Sequence, residues 1–425
     1  MRWSKRYALK SQLSAALWTA PVFALVLEQI AIRAVSAMDQ KLTWIPLFER
    51  TVSGTIGALD TVVTLTTSFV VFTFGSMLVA IQVASGQLTP RIIATTLLRD
   101  NVIRATVGLF IFTMLFAAGT RARITESIPH LAVFLTVALG FISITSFLFL
   151  IDYTARLMRP VTIVWRIGEQ GIKVIDAIYP GAVGAPSTPR DPQPPLGPPG
   201  RTVEHRGTSA IVLAINLKAL VTLAAKANGL IGIIPRVGDF VAVNEPLFRL
   251  YGGATAIESR ILRAQVAFGP ERTIEQDSTF AFRVIVDVAL KALSPAINDP
   301  TTAVLAIDQL HRMLRSVGKR HLHDDAIFDT QGTQRLIFPT PDWEDFVQLT
   351  FSEIRLYGAN NFQVSRRLRA MIENLLSTLP ESRQAALHRE LRLLDQTLNT
   401  LHAFPEDLAL ARKADLQGLG GSSAA

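Results

Sequence analysis

The chain of 425 residues contains no cysteine. Disulfides, thiolate metal sites and cysteine nucleophiles are therefore excluded, and no redox compartment is indicated. Charge is sparse as well: 18% of the residues are Asp, Glu, Lys or Arg, and only 8% are aromatic. The net charge of +8 is not gathered into a basic stripe interleaved with aromatics, which argues against a nucleic-acid partner. There is no phosphate-cradling glycine loop, no Gly-x-Ser-x-Gly elbow and no His-Glu-x-x-His. These absences point away from an enzyme, and no cofactor is expected.

Hydrophobicity, by contrast, is abundant. It makes up 49% of the chain and is concentrated before residue 152. Apolar runs over 12–36, 59–84, 102–119 and 128–151 each approach the ~20 residues that cross a hydrocarbon core. Residues 1–155 therefore read as a transmembrane domain of about four helices. The basic start and the small residues Ala34 to Ala37 also fit a cleaved signal, but the further spans favour retention. One set of loops holds Arg2, Lys5, Arg6, Lys10, Arg91, Arg99, Arg104, Arg156, Arg159 and Arg166. The opposite set holds Lys41, Arg50, Arg121 and Arg123. The positive-inside rule then puts both termini in the cytoplasm, as in a multi-pass protein of the bacterial inner membrane.

In the second span, Thr64, Ser68, Gly75, Gln82, Gly86 and Thr89 fall within one narrow arc at 100° per residue. Small and hydroxylated residues suit close helix packing in lipid. The same face could line a water-filled pathway between several copies, with Gln82 near its cytoplasmic mouth. After Pro90, apolar Ile92, Ile93, Leu97 and Leu98 alternate with Arg91, Arg99 and Arg104, the pattern of a helix lying on the inner leaflet.

Residues 156–179 continue as an amphipathic connector. The tract YPGAVGAPSTPRDPQPPLGPPG makes 180–205 a proline-rich linker. Alternation at Ile211, Leu213, Ile215 and Leu217 opens a small β unit over 206–252. Its phrase VGDFVAVNEPLFRL resembles biotinyl and lipoyl carrier domains, but no hairpin presents a modifiable lysine, so the resemblance implies only a small β-barrel. Helical periodicity dominates 253–415, including 254–268, 342–357, 363–376 and 381–401, with a frayed tail over 416–425. Arg366, Arg367 and Arg369 form a basic cluster suited to phospholipid or water.

The most distinctive stretch runs from Arg272 to Ala303: RTIEQDSTFAFRVIVDVALKALSPAINDPTTA. Asp277 or Ser278 can cap a helix that must stop at Ser294 before Pro295. Asp299 and Pro300 start another. Carboxylates at Glu275, Asp277, Asp287, Asp299 and Asp308 are enough for a hard-cation site. Capping by Asp277 and Asp299, with pairs Asp287–Arg283 or Asp287–Lys291 and Asp308–Arg312, accounts for them without a ligand. Asn298 is left over, and a side-chain bond to the turn backbone or to a neighbouring subunit is expected of it. His311, His321, His323, Asp324 and Asp325 are a second metal candidate, although a solvated loop accounts for them equally.

EQD-x-x-F-x-x-R-x-x-V-D-x-A, continued by A-L-S-P-A-I-N-D-P-T-T-A, resembles the signature of a bacterial family of predicted membrane proteins, domain-of-unknown-function family 2254. SGQLTPR after the second span is similar to that family's second landmark, with Leu88 and Thr89 in place of an aromatic residue and Ser. The resemblance implies several spans before a soluble C-terminal region, and no established activity.

The fold expected is an α-helical membrane domain followed by a cytoplasmic α+β region. Its partners would be the lipid bilayer and further copies of the chain. Three functions remain open: an oligomeric channel or transport-related protein with a cytoplasmic collar; a membrane-anchored scaffold or sensor using Asp287, Ser294, Asn298, Asp299 and Pro300 as a hub or partner contact; and a metal-dependent membrane-bound hydrolase.

Overall fold

The computed structural model describes residues 3–4, 6–7, 19–39, 51–87, 100–124, 128–183, 197–322 and 325–419. The start of the first expected span, Thr89, the amphipathic stretch over 90–99, His323 and Asp324 lie outside them. Two compact units emerge. One comprises Gln12–Gly86 and Pro90–Ile163; the other comprises Met1–Ser11, Gln87–Thr89 and Val164–Ala425.

Among the described residues, the first unit holds four helices long and apolar enough to cross a membrane. They are α1 (Thr19–Asp39), α2 (Val52–Gln87), α3 (Asn101–Arg121) and α4 (His130–Leu157). Helices α1, α3 and α4 pack backbone-close, while α2 meets them mainly through large side chains. Phe69 of α2 stacks on Phe147 of α4 with ring centroids 4.2 Å apart and also meets Phe110 of α3. The bundle interior is filled by Phe110, Phe116 and Ala117.

Polar groups mark the two ends of this unit. At one end Asp60 pairs with Arg121 at 2.6 Å, and Asp39 accepts from Leu131 N at 3.1 Å, so α1 caps α4. At the other, buried Asp100 caps α3 and accepts from Tyr153 Oη at 2.7 Å. Ala80 lies beside Thr154 and Met158 at that same end. From Asp60 to Ala80 α2 rises about 30 Å, the thickness of a hydrocarbon core. The whole of α2, 36 residues, is about 54 Å long, more than the thickness of such a core.

The second unit is mixed α and β. Helix α5 (Pro160–Ile178) leads into strands β1 (Arg201–Glu204) and β2 (Ala210–Ile215), helix α6 (Leu217–Lys226), and strands β3 (Gly229–Ile233), β4 (Phe240–Val241) and β5 (Pro246–Gly252). A short α7 (Ser259–Arg263) and β6 (Val266–Gly269) follow, then α8 (Ser278–Ala292) and α9 (Pro300–Gly318). Strands β7 (Ala326–Phe328) and β8 (Gln334–Ile337) precede α10 (Trp343–Gly358), α11 (Phe362–Thr378), α12 (Gln384–Leu401) and α13 (Pro405–Ala411).

The small barrel expected over 206–252 is not what forms. One sheet has five strands in the order β1-β5-β3-β8-β7, a second has three in the order β4-β2-β6, and neither closes. The first strand lies inside the expected linker, and three strands, β6, β7 and β8, come from the expected helical region. Strand β8 adds to β3 in parallel, pairing Ile231 with Leu336. The stretch expected as a helix over 254–268 ends as a strand, because Val266, Ala267 and Phe268 pair with β2. The core beneath is Leu220, Ile231, Phe248, Leu250 and Leu336.

Helix α8, the first half of the distinctive stretch, is buried nearly all round. Phe280, Ala281, Phe282, Val284, Ile285, Val286, Val288 and Ala289 are all enclosed. A helix apolar over most of its circumference belongs at the centre of its domain, and α9 and α10 pack against it.

Candidate functional site

In α2, Thr64, Ser68, Gly75, Gln82 and Gly86 are all exposed. A Cβ on Gly75 or Gly86 would meet nothing within 4 Å. The opposite face, with Thr55, Leu59, Val62, Thr66, Thr73 and Met77, is the one buried against the bundle. Hydroxyls on both faces return to the helix's own carbonyls: Ser68 Oγ to Thr64 O at 2.8 Å, Thr66 Oγ1 to Val62 O at 2.7 Å. That bonding lets a helix carry Ser and Thr through lipid. By the rise of the helix, Gln82 lies about 33 Å along the axis from Asp60, with Ser68 and Gly75 between them.

The distinctive stretch folds as two capped helices joined by a tight corner. Asp277 caps α8 by accepting from Phe280 N at 2.9 Å, and Asp299 caps α9 by accepting from Thr302 N at 3.0 Å. Between them Ser294 Oγ donates to Lys291 O, and Asp299 N donates to Ala292 O at 2.8 Å. Pro300 occupies the first turn of α9. Asn298 has φ +50, in the left-handed region where Asn is tolerated, and its side chain is exposed. The residue expected to bond the turn through its side chain is thus explained by its backbone. Arg283 pairs with Asp287 at 2.7 Å and forks onto both carboxylate oxygens of Glu353 in α10.

One expected pairing is corrected. Asp308 accepts from Arg367 Nε at 2.6 Å, not from Arg312. Arg312 instead pairs with Glu169 of α5 and lies 4.1 Å over the Trp165 ring. The basic cluster of α11 faces neither lipid nor water. Arg366 is wholly buried and donates to Lys413 O, and Arg369 pairs with Asp395 of α12. These bonds draw the last residues inward. Gln363 Nε2 reaches Gly418 O at 2.7 Å, so the tail expected to fray from 416 is held as far as Gly418.

His311 Nε2 lies 2.9 Å from Asn374 Oδ1, and burial pushes its pKa down. Among the described residues no three His, Asp or Glu side chains approach metal-site geometry.

Sequence reasoning missed three arrangements. Thr106, Thr113 and Thr120 recur at seven-residue intervals and are buried in α3. Ser143 Oγ bonds Thr113 Oγ1 at 3.2 Å, and Thr136 Oγ1 lies 3.5 Å from Thr120 Oγ1, making a hydroxyl ladder between α3 and α4. The heptad spacing was legible. Glu28, 4% exposed, packs against Gly119, where a Cβ would meet its Oε1 at 2.9 Å.

The third is a cavity of about 490 Å³ in the second unit, lined by Tyr179 after α5, Lys218 of α6, Arg236, and Glu275 to Ser278. Trp3 lines one side, and Tyr7 Oη donates to the lining residue Glu275 at Oε2, 2.9 Å away. Burial pushes the Tyr179 phenol up to about 12, opposed by its hydrogen bond with Ser278. Burial also pushes the Asp277 carboxyl above its ordinary range, against the hydrogen bond from Thr279.

A family model described as a predicted membrane protein (DUF2254) matches residues 14–374. Uncharacterized proteins of Mycobacterium tuberculosis strain H37Rv and Mycobacterium bovis are each 26% identical over 436 residues, covering 96% of this chain and 81% of the relative. No solved structure matches.

Proposed function

Since the chain belongs to the DUF2254 family of predicted membrane proteins, we propose that it is a multi-pass protein of the bacterial inner membrane that assembles as a homo-oligomer through α2. In this reading the polar face of α2 lines a pathway, and the second unit forms a cytoplasmic collar. One observation carries it: Thr64, Ser68, Gly75, Gln82 and Gly86 face outward, with no other helix among the described residues over them. In lipid, small and polar residues gather where helices meet, because backbones approach closely there and polar groups find partners. Both termini are cytoplasmic on this account, in keeping with an even number of spans and with Tyr7 bonded to Glu275. No catalytic step is assigned. The test is ion flux from liposomes. Gln82→Leu and Gly75→Leu should each reduce it while leaving the unfolding temperature of the second unit unchanged. Strictly monomeric protein in nanodiscs would overturn the reading.

A second reading, a membrane-anchored sensor, is favoured by a different observation: the family-signature residues Glu275 to Ser278 line a cavity.

A further inference from the structure

The second unit carries its most exposed large apolar side chains at one end. Leu356, Tyr357, Phe404, Leu416 and Leu419 are each 66–75% exposed, more than any other large apolar side chain of the unit among the described residues. They come from three separate segments, and packing brings those segments together. Gly358 closes α10 against Leu293 at the end of α8 and against Val364 at the start of α11. Gly418 lies against Val304 in the first turns of α9 and accepts at its carbonyl from Gln363 of α11. His402, just past α12, stacks on Phe362 at the start of α11. The ends of α10 and α12 and the tail therefore converge beside the corner from Ser294 to Pro300, which adds exposed Pro295 and Ala296.

The chain also enters the unit at this end. Helix α5 runs parallel to α9, because Gly168 lies against Gln309, Gly171 against Met313, and Asp176 pairs with Arg320. In that register Val164 stands level with Leu305, next to the Val304 that Gly418 touches. The fourth span ends at Leu157, seven residues before Val164. Seven residues, most of them helical, reach only about 10–15 Å. This end of the unit is thus held on a short tether to a membrane helix. Trp165, at the same level, is 49% exposed. Trp and Tyr gather at membrane–water interfaces, where the ring meets hydrocarbon and the polar edge meets headgroups. The exposed charges nearby are of both signs, with Lys291 and Arg412 against Glu406. Burial of apolar side chains, rather than attraction to anionic lipid, is the force available here.

We propose that this end of the second unit is a lipid-docking surface, and that Leu356, Tyr357, Phe404, Leu416 and Leu419 enter the interface of the adjoining leaflet. A cluster of apolar side chains on a water-facing surface marks an interaction site. The short tether presents the bilayer to it at high effective concentration, ahead of any diffusing partner. The family-signature corner then lies at the membrane surface, and its stop and restart of two helices shapes the face that meets lipid. The inference rests on the membrane reading of the chain but not on assembly through α2.

The experiment uses the full chain, which lacks cysteine, in phosphatidylcholine nanodiscs. A nitroxide is attached at Tyr357→Cys, at Leu416→Cys or, as the control, at Phe240→Cys. Phe240 is 65% exposed and follows Gly238, which lies against Asp277 at the opposite end of α8, about 22 Å from the corner. Power-saturation electron spin resonance compares access by oxygen, which concentrates in hydrocarbon, with access by a water-soluble nickel chelate. Oxygen should reach the labels at positions 357 and 416 more readily than nickel does, and the order should reverse at position 240. Nickel access exceeding oxygen access at 357 and 416 overturns the proposal. Low access to both reagents there, the mark of a protein cover such as a second copy, overturns it as well. The readout is the same for a monomer and an oligomer, so a failure of assembly through α2 leaves the expected result unchanged.

Discussion

At the scale of single residues, burial decides which charges matter. Asp277 has its folded pKa raised chiefly by burial. Its contribution to stability is therefore fully present below the unfolded value and is lost as pH rises through the folded one. Asp277→Asn removes that loss. The variant should unfold at a higher temperature relative to wild type at about pH 7 than at about pH 4; equal differences at the two pH values would contradict this account. His311 behaves oppositely. Burial lowers its folded pKa, so its contribution is present above the unfolded value and lost as pH falls through the folded one. His311→Gln should flatten the decline in stability on acidification below about pH 6.5, followed by denaturant titration. Arg283 is a third case, because one guanidinium serves Asp287 and Glu353 together. A lysine keeps the charge but not the fork. Arg283→Lys should cost about 1–2 kcal/mol in chemical denaturation, a figure kept small because Glu353 is partly solvated.

At the scale of elements, period and punctuation were legible and partnership was not. The four membrane helices follow from length and apolarity. Helices α8 and α9 follow from Asp277, Pro295, Asp299 and Pro300, all local signals. What failed was long-range. Nothing in Val266 to Gly269 says that it will pair with β2, and nothing in Gln334 to Ile337 announces a parallel partner about a hundred residues earlier. The basic run in α11 reads as a solvated face because Arg is usually exposed. Its true partners, Asp308, Asp395 and the carbonyls of the last residues, are distant in sequence. Those carbonyls yield a prediction. Removing residues 413–425 strips Arg366 and Arg367 of acceptors in a buried setting and should destabilise the second unit by about 2–4 kcal/mol, measured by urea denaturation. A change within error would show that the tail is only draped over α11.

At the scale of the whole molecule, the chain joins an apolar four-helix unit to an α/β unit that also takes in its first residues. The family signature was legible as a precise stop and restart of two helices. Its spatial meaning was not: α8 is the buried axis of the second unit, and the phrase before it lines a cavity. The stripe on α2 was also legible, but its direction was not, because helical periodicity gives a face without saying whether the face turns inward. Here it turns outward. The account's central claim is that another copy of the chain covers it, and the absence of cysteine gives a clean background for the decisive measurement. Gly75→Cys should form a disulfide-linked dimer on mild oxidation in native membranes, at a protein density too low for chance collision. Thr113→Cys, buried between α3 and α4, serves as the control and should remain monomeric. Gly75→Cys that stays as monomeric as the control would contradict assembly through α2.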